Sequence, residues 1–255
     1  MRHVFKTMGT VASIDLESAA LPHLDRIEEI FRDADERFSL YRPQSELSRI
    51  ARRDLALIDA SDTLRSAYAR ALDWRAATGG LFTPHRPDGV IDLNGTVKAE
   101  AIESAGAVLD AAGCRGWTIN VGGDILTRAS PDHRLAPVGI ADPHHPEALL
   151  CSIALDFPRR AIATSGSAQR GDHIWLGGRI QPAEFRQVTV LADDIGIADV
   201  LATSIVAAGS AGIDALTDRW DIDVLTVDRG GELTATPEFR AAIESSRCSG
   251  ALSDS

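Results

Sequence analysis

Four short stretches gather hard oxygen donors, glycines, basic residues and a histidine in patterns suited to a charged ligand. In ADVLATS (198–204), Asp199 and Thr203 are four residues apart. On a helix that spacing puts both side chains on one face, with Cβ atoms about 5–6 Å from each other. A carboxylate and a hydroxyl placed so are hard ligands for Mg2+, which completes its shell with carbonyls, water and phosphate oxygens. DLNGTVK (92–98) sets Gly95 and the first amides of a helix beside Lys98, a combination that can meet an anion. NVGGDI (120–125) runs a strand into two glycines and Asp124, whose carboxylate can accept from hydroxyl or amine groups. ATSGSAQRGDHI (163–174) holds Thr164, Ser165, Ser167, Arg170 and His173, the last a base near neutral pH. Taken singly, each is met more simply by a helix cap, a Gly-Gly-Asp turn or a solvated loop histidine.

These stretches need elements to carry them. Residues 10–16 (TVASIDL) alternate as a strand. Ile27, Ile30, Phe31, Ala34 and Phe38 then recur at helical spacing from Leu24 onward. Pro43 ends that pattern, and Ser45 caps a short helix over 46–50. A further helix runs from 61 or 62 to 77, stopped by Gly79-Gly80, and VIDLNG reads as a short strand before a helix over 96–112. Past Gly113 the period changes: GWTINVGG, LAPVGIADP, LLCSIALD, RAIATSG and RQVTVLAD are short β-rich runs between turn residues. One more helix over 196–209 precedes a last strand, DIDVLTVD. Helices gathered early and strands late, without strict alternation, give an α+β fold.

The bulk of the chain narrows the partners. Its 255 residues are 44% hydrophobic and 25% charged, enough for a substantial core. A net charge of −11 excludes nucleic acid as an expected partner, since phosphate neutralisation needs a basic face. Three cysteines, Cys114, Cys151 and Cys248, share no metal-ligand spacing and read as reduced thiols. With no apolar run of about 18 residues, the expectation is a cytoplasmic protein with no membrane partner.

In order along the chain, TMGT (7–10), FSLYRPQSELSRI (38–50), TGGLF (78–82), DLNGTVK, NVGGDI, VGIADP (138–143), ATSGSAQRGDHI and ADVLATS resemble the successive signatures of the ApbE-type flavin transferases. The resemblance spans about Thr7 to Phe239. It implies an ApbE-like fold, with helices on a mostly antiparallel sheet in two interleaved lobes. Residues 1–244 are expected to form one domain, and 245–255 a disordered tail. It also implies a Mg2+-dependent enzyme that moves FMN from FAD onto a Thr or Ser hydroxyl of a protein acceptor, releasing AMP.

By the same resemblance, Met8, Tyr41, Leu81, Phe82, Asp92 and Lys98 fall at FAD-contacting positions. Ser165, Arg170 and Ile174 resemble the segment lining the pyrophosphate and flavin, and Asp124 of the NVGGDI block is expected among the FAD contacts. Asp199 and Thr203 fall at the metal ligands, joined by a backbone carbonyl of Gly95 or Thr96, and His173 at the general base. The chain departs from the family pattern at Thr83, where an aspartate is usual, at Ala99, where a glycine is usual, and after Ile174, which WLGGRIQPAEF follows. Two alternatives use the same residues: hydrolysis of FAD to FMN and AMP, and FAD binding without catalysis.

Overall fold

The computed structural model describes residues 1–16, 18–129, 136–155, 158–166, 175–176, 179–180 and 183–243. The chain opens with a hairpin, β1 (Arg2–Thr7) and β2 (Thr10–Leu16), followed by the helices α1 (Leu24–Phe38), α2 (Glu46–Ala51), α3 (Asp62–Ala77) and α4 (Asn94–Ala111). Strands β3 (Trp117–Val121), β4 (Asp124–Arg128), β5 (Val138–Ala141), β6 (Leu149–Ile153) and β7 (Ala161–Gly166) come next. The two-residue strands β8 (Trp175–Leu176) and β9 (Arg179–Ile180) lead to β10 (Phe185–Ala192). The helices α5 (Ile195–Ala208) and α6 (Ser210–Thr217) separate β10 from β11 (Asp223–Asp228) and β12 (Leu233–Ala235).

Eight strands form one sheet in the order β1-β2-β3-β4-β7-β10-β11-β12, each neighbour pair antiparallel. Successive side chains of a strand point to opposite faces, and here both faces are covered. Ala161 and Ala163 of β7, Val188 and Val190 of β10 and Val224 of β11 join the helical core with Phe31, Leu109 and Leu201. Their neighbours Ile162, Leu191 and Leu225 point the other way, onto Ile140 and Ile153 of the β5–β6 hairpin and onto Phe239. The two lobes expected from sequence take the form of two cores on opposite faces of one continuous sheet.

α5 is apolar on nearly every side and is buried against β7 and β10, as a helix of that pattern must be. Asp194 caps it, accepting from the Ile197 N–H at 2.9 Å. α4 lies beside α5 and α1 and reaches β3 closely at Gly106, where an added Cβ would sit 2.6 Å from the Trp117 ring. The structure corrects the sequence reading in three places. VIDLNG makes no strand, because Asp92 Oδ1 takes the Asn94 N–H and turns the chain into α4, leaving one isolated bridge from Ile91 to His85. The helix expected over 196–209 starts at Ile195 and ends at Ala208, and Gly209, at φ +70°, reverses the chain into α6, which the periodicity did not reveal. β1 and β4 were likewise not read: RHVFKT does not alternate polar and apolar, although its residues alternate between exposed and half-buried, and β4 follows a turn of only two glycines. The tail over 245–255 lies outside the described residues.

At Gly166 the obstacle is backbone. An added Cβ on Gly166 would lie 2.2 Å from the Arg186 carbonyl oxygen, where the β10 register slips between Phe185 and Gln187. A backbone atom cannot swing aside as a side-chain end can. Gly166→Ala is therefore expected to cost about 1–3 kcal/mol, read as a fall in Tm of roughly 2–4 °C per kcal/mol for a chain of this size. An unchanged Tm would mean that the bulge relaxes freely.

Candidate active site

A cleft of about 800 Å³ lies where α4, the end of β7, α5 and the β5 layer meet. The α4 entry contributes Asp92, Asn94, Gly95 and Lys98 to its wall, and the segment before it Leu81, Phe82, Thr83 and Arg86. The end of β7 brings Thr164, Ser165 and Gly166, and α5 brings Asp199 and Thr203. β5 with the residues after it closes another side, and Tyr41 stands at the cleft 91% exposed. Nine of the residues expected to hold FAD or the metal thus share one cavity: Tyr41, Leu81, Phe82, Asp92, Gly95, Lys98, Ser165, Asp199 and Thr203.

Three others stand back from it. Met8, at φ +47° in the β1–β2 turn, packs against the helical core, and Thr10 is the residue of that turn that lines the cleft. Thr96 is 2% exposed, and its hydroxyl donates to the Leu93 carbonyl at 3.2 Å. Of the two carbonyl candidates, Gly95 is the one at the cleft wall. Asp124 is 1% exposed beneath the wall, where it pairs with Lys98. His173, Arg170 and Ile174 lie outside the described residues.

The first turn of α4 is narrower as an anion site than its sequence suggests. The Asn94 N–H donates to Asp92 Oδ1, and those of Thr96 and Val97 donate to the Leu93 carbonyl. Gly95 is small for a different reason: the Phe82 ring crosses it, and an added Cβ would approach Phe82 Cε2 to 2.8 Å.

Asp199 and Thr203 sit one turn apart on α5, Asp199 4% exposed, and the Thr203 hydroxyl lies 3.0 Å from the Ser165 hydroxyl of β7. The donor set is a carboxylate, two hydroxyls and the nearby Gly95 backbone, all hard oxygen. Among the described residues no three His, Cys, Asp or Glu side chains cluster as a metal cage. Few protein ligands beside an open cavity suit Mg2+, which shares its shell with water and substrate phosphate. The residues fit that ion.

Sequence reasoning missed Arg86, Arg186 and Gln187. Arg186 Nε donates to the Pro143 carbonyl at 3.1 Å and Gln187 Nε2 to the Ala141 carbonyl at 3.2 Å, tying β10 to the layer carried by β5. The available signal was a pair of polar residues opening an otherwise apolar strand.

His85, within the Thr83–Arg86 segment, has its Nε2 2.8 Å from the Tyr68 hydroxyl of α3. Burial, then the nearby Arg75 charge, hold its pKa below the ordinary 6.5. A histidine with a depressed folded value binds fewer protons than the unfolded chain, so stability rises with pH across that range. The contribution is present at neutral pH and lost as pH falls below 6.5 through the lower folded value. His85→Gln is expected to flatten the stability–pH curve on the acid side of its ordinary value, measured by urea unfolding; an unaltered slope would remove His85 as its source.

Comparison with known proteins follows the same outline. The ApbE family model matches residues 8–87 and 85–226. The FAD:protein FMN transferase of Rhodobacter capsulatus is 29% identical over 177 residues, which cover 66% of this chain and 34% of that protein. This chain therefore spans about a third of that relative's length. Among solved structures, the ApbE protein of Thermotoga maritima superposes with a TM-score of 0.79 at 18% identity, covering 95% of this chain and 99% of that one. The flavin transferase ApbE of Vibrio cholerae gives 0.74 at 20% identity, covering 95% and 98%. At such identities the likeness is one of fold. No helix among the described residues is long and apolar enough to cross a membrane.

Proposed function

The chain belongs to the ApbE family, and from that premise we propose that it is a Mg2+-dependent FAD:protein FMN transferase acting on a Thr or Ser hydroxyl of an acceptor protein. The observation that carries the reading is the convergence of Lys98, Ser165, Asp199 and Thr203 on one cleft of about 800 Å³, within the size range of cofactor pockets. The relative from Rhodobacter capsulatus carries that activity in its name.

The substrate's chemistry explains the residues. The pyrophosphate of FAD carries two negative charges, and a chain of net charge −11 repels it unless local groups intervene. Asp199, Thr203 and the Gly95 carbonyl would hold Mg2+, whose charge would offset that of the pyrophosphate and of the departing AMP oxygen. Lys98 adds a cation to the same wall, and Tyr41 offers an exposed ring for stacking on a planar ligand. An alcohol is a weak nucleophile at neutral pH, so His173 takes the proton of the acceptor hydroxyl as its oxygen attacks the FMN-side phosphorus. The P–O bond to AMP breaks, its electrons leave with AMP, and FMN remains on the acceptor as a phosphoester. Residues 1–244 act as one domain in this scheme.

The test is incubation with FAD and Mg2+, with and without an acceptor flavoprotein, following AMP by chromatography and labelled acceptor by in-gel flavin fluorescence. Acceptor-dependent AMP release with a fluorescent band is the expected result. AMP release indifferent to acceptor would assign FAD hydrolysis instead, and tight FAD binding with no AMP would assign a binding protein.

A further inference from the structure

Asp124 opens β4 directly after two glycines in positive-φ conformations, +64° at Gly122 and +98° at Gly123. Asn120 Oδ1 braces this turn by accepting the Gly123 N–H at 3.0 Å. The carboxylate that results lies under the cleft wall, 1% exposed, and each of its oxygens serves a different element. Oδ1 accepts the Thr164 N–H of β7 at 3.2 Å, while Oδ2 pairs with the Lys98 ammonium of α4.

The first of these bonds stands in for a missing rung. β4 and β7 pair at Ile125–Ile162 and Leu126–Ala161. Continuing that register sets Thr164 against Gly123, where the chain has already turned away. A strand N–H in a buried sheet needs an acceptor, and the side chain provides one. The next residue, Ser165, carries the hydroxyl 3.0 Å from Thr203.

The second bond fixes a charge. A lysine ammonium ends a four-carbon stem with many rotamers, so its position is poorly defined unless something holds it. Lys98 is 17% exposed at the cleft wall and is held from below. Conversely, a carboxylate buried as deeply as Asp124 requires a cation.

Resting on the reading of the cleft as an FAD site, we infer that Asp124 is a positioning residue that acts on bound FAD through Lys98, by fixing the ammonium at one point of the wall. It does not touch the ligand itself. The test is calorimetry of FAD binding to four proteins: wild type, Asp124→Asn, Lys98→Met and the double variant, each checked by thermal unfolding. Asparagine keeps the oxygen that Thr164 needs and removes the charge that holds Lys98. Each single change is expected to weaken FAD binding on the order of tenfold, and the double variant to bind no more weakly than Lys98→Met. A purely structural role predicts instead that the Asp124→Asn loss multiplies onto that of Lys98→Met; this outcome, or wild-type affinity in Asp124→Asn, overturns the inference.

Leaving one charge of a buried pair is the more damaging change. Should Asp124→Asn fail to fold, Lys98→Met against the double variant separates the two roles in the same way. Wild type that binds FAD without releasing AMP removes the transferase reading and leaves this comparison intact. A wild type indifferent to FAD removes both.

Discussion

Asp199→Asn is expected to lower FMN transfer by about 10²–10³-fold at moderate Mg2+, with the loss partly recovered as Mg2+ is raised. Asparagine matches aspartate in size and keeps one carbonyl oxygen, so α5 retains its packing against β7 and β10. What it removes is the negative charge, and a hard dication bound by few protein groups depends heavily on that charge. Thr203→Val asks the same of the hydroxyl one turn on, with a smaller effect because a neutral oxygen contributes less. AMP release measured across a Mg2+ titration separates the cases: a rightward shift of the midpoint assigns Asp199 to the ion. A variant with the wild-type midpoint and a lower plateau would place the residue elsewhere in the reaction.

His173→Ala is expected to reduce transfer by about 10²–10⁴-fold, the range for losing a general base, while FAD binding persists. Its assignment rests on the ATSGSAQRGDHI block of the sequence. Because an imidazole titrates near pH 6.5, wild-type activity should fall on its acid side, and that limb should disappear in the variant. Single-turnover labelling of an acceptor across pH, with calorimetry for FAD, provides both readouts. Full activity in His173→Ala would transfer the base role to another group, and lost FAD affinity would make the residue a ligand contact.

The two variants report on different parts of one chemistry. In the proposed reaction Asp199 and Thr203 would govern charge on the leaving side, and His173 the proton of the attacking hydroxyl. An Asp199 defect answers to metal concentration and a His173 defect to pH. Exchanged dependences would mean that the roles are assigned to the wrong residues.

Much of this architecture could be read from the chain alone, because it depends on near neighbours. The spacing of Asp199 and Thr203 within an apolar helix makes them one polar face whatever surrounds them. Ser45 caps α2 as its sequence position suggests, and the β-rich run RQVTVLAD makes a strand, buried on both sides. Other features depend on what lies across space. Gly95 reads as an opening for an anion, yet the Phe82 ring fills that place. Asp124 reads as a ligand contact, yet it faces Lys98 and Thr164, residues of two different elements. Gly209 ends α5 as its sequence suggests, and it also begins α6, which only the structure reveals. Local sequence therefore determined which residues are acids, hydroxyls and caps and on which elements they ride, since helix and strand periodicity are short-range. Only the packing of α4, α5 and the sheet decided which of them face the cleft and which brace it from behind, because that choice rests on contacts between segments far apart in the chain.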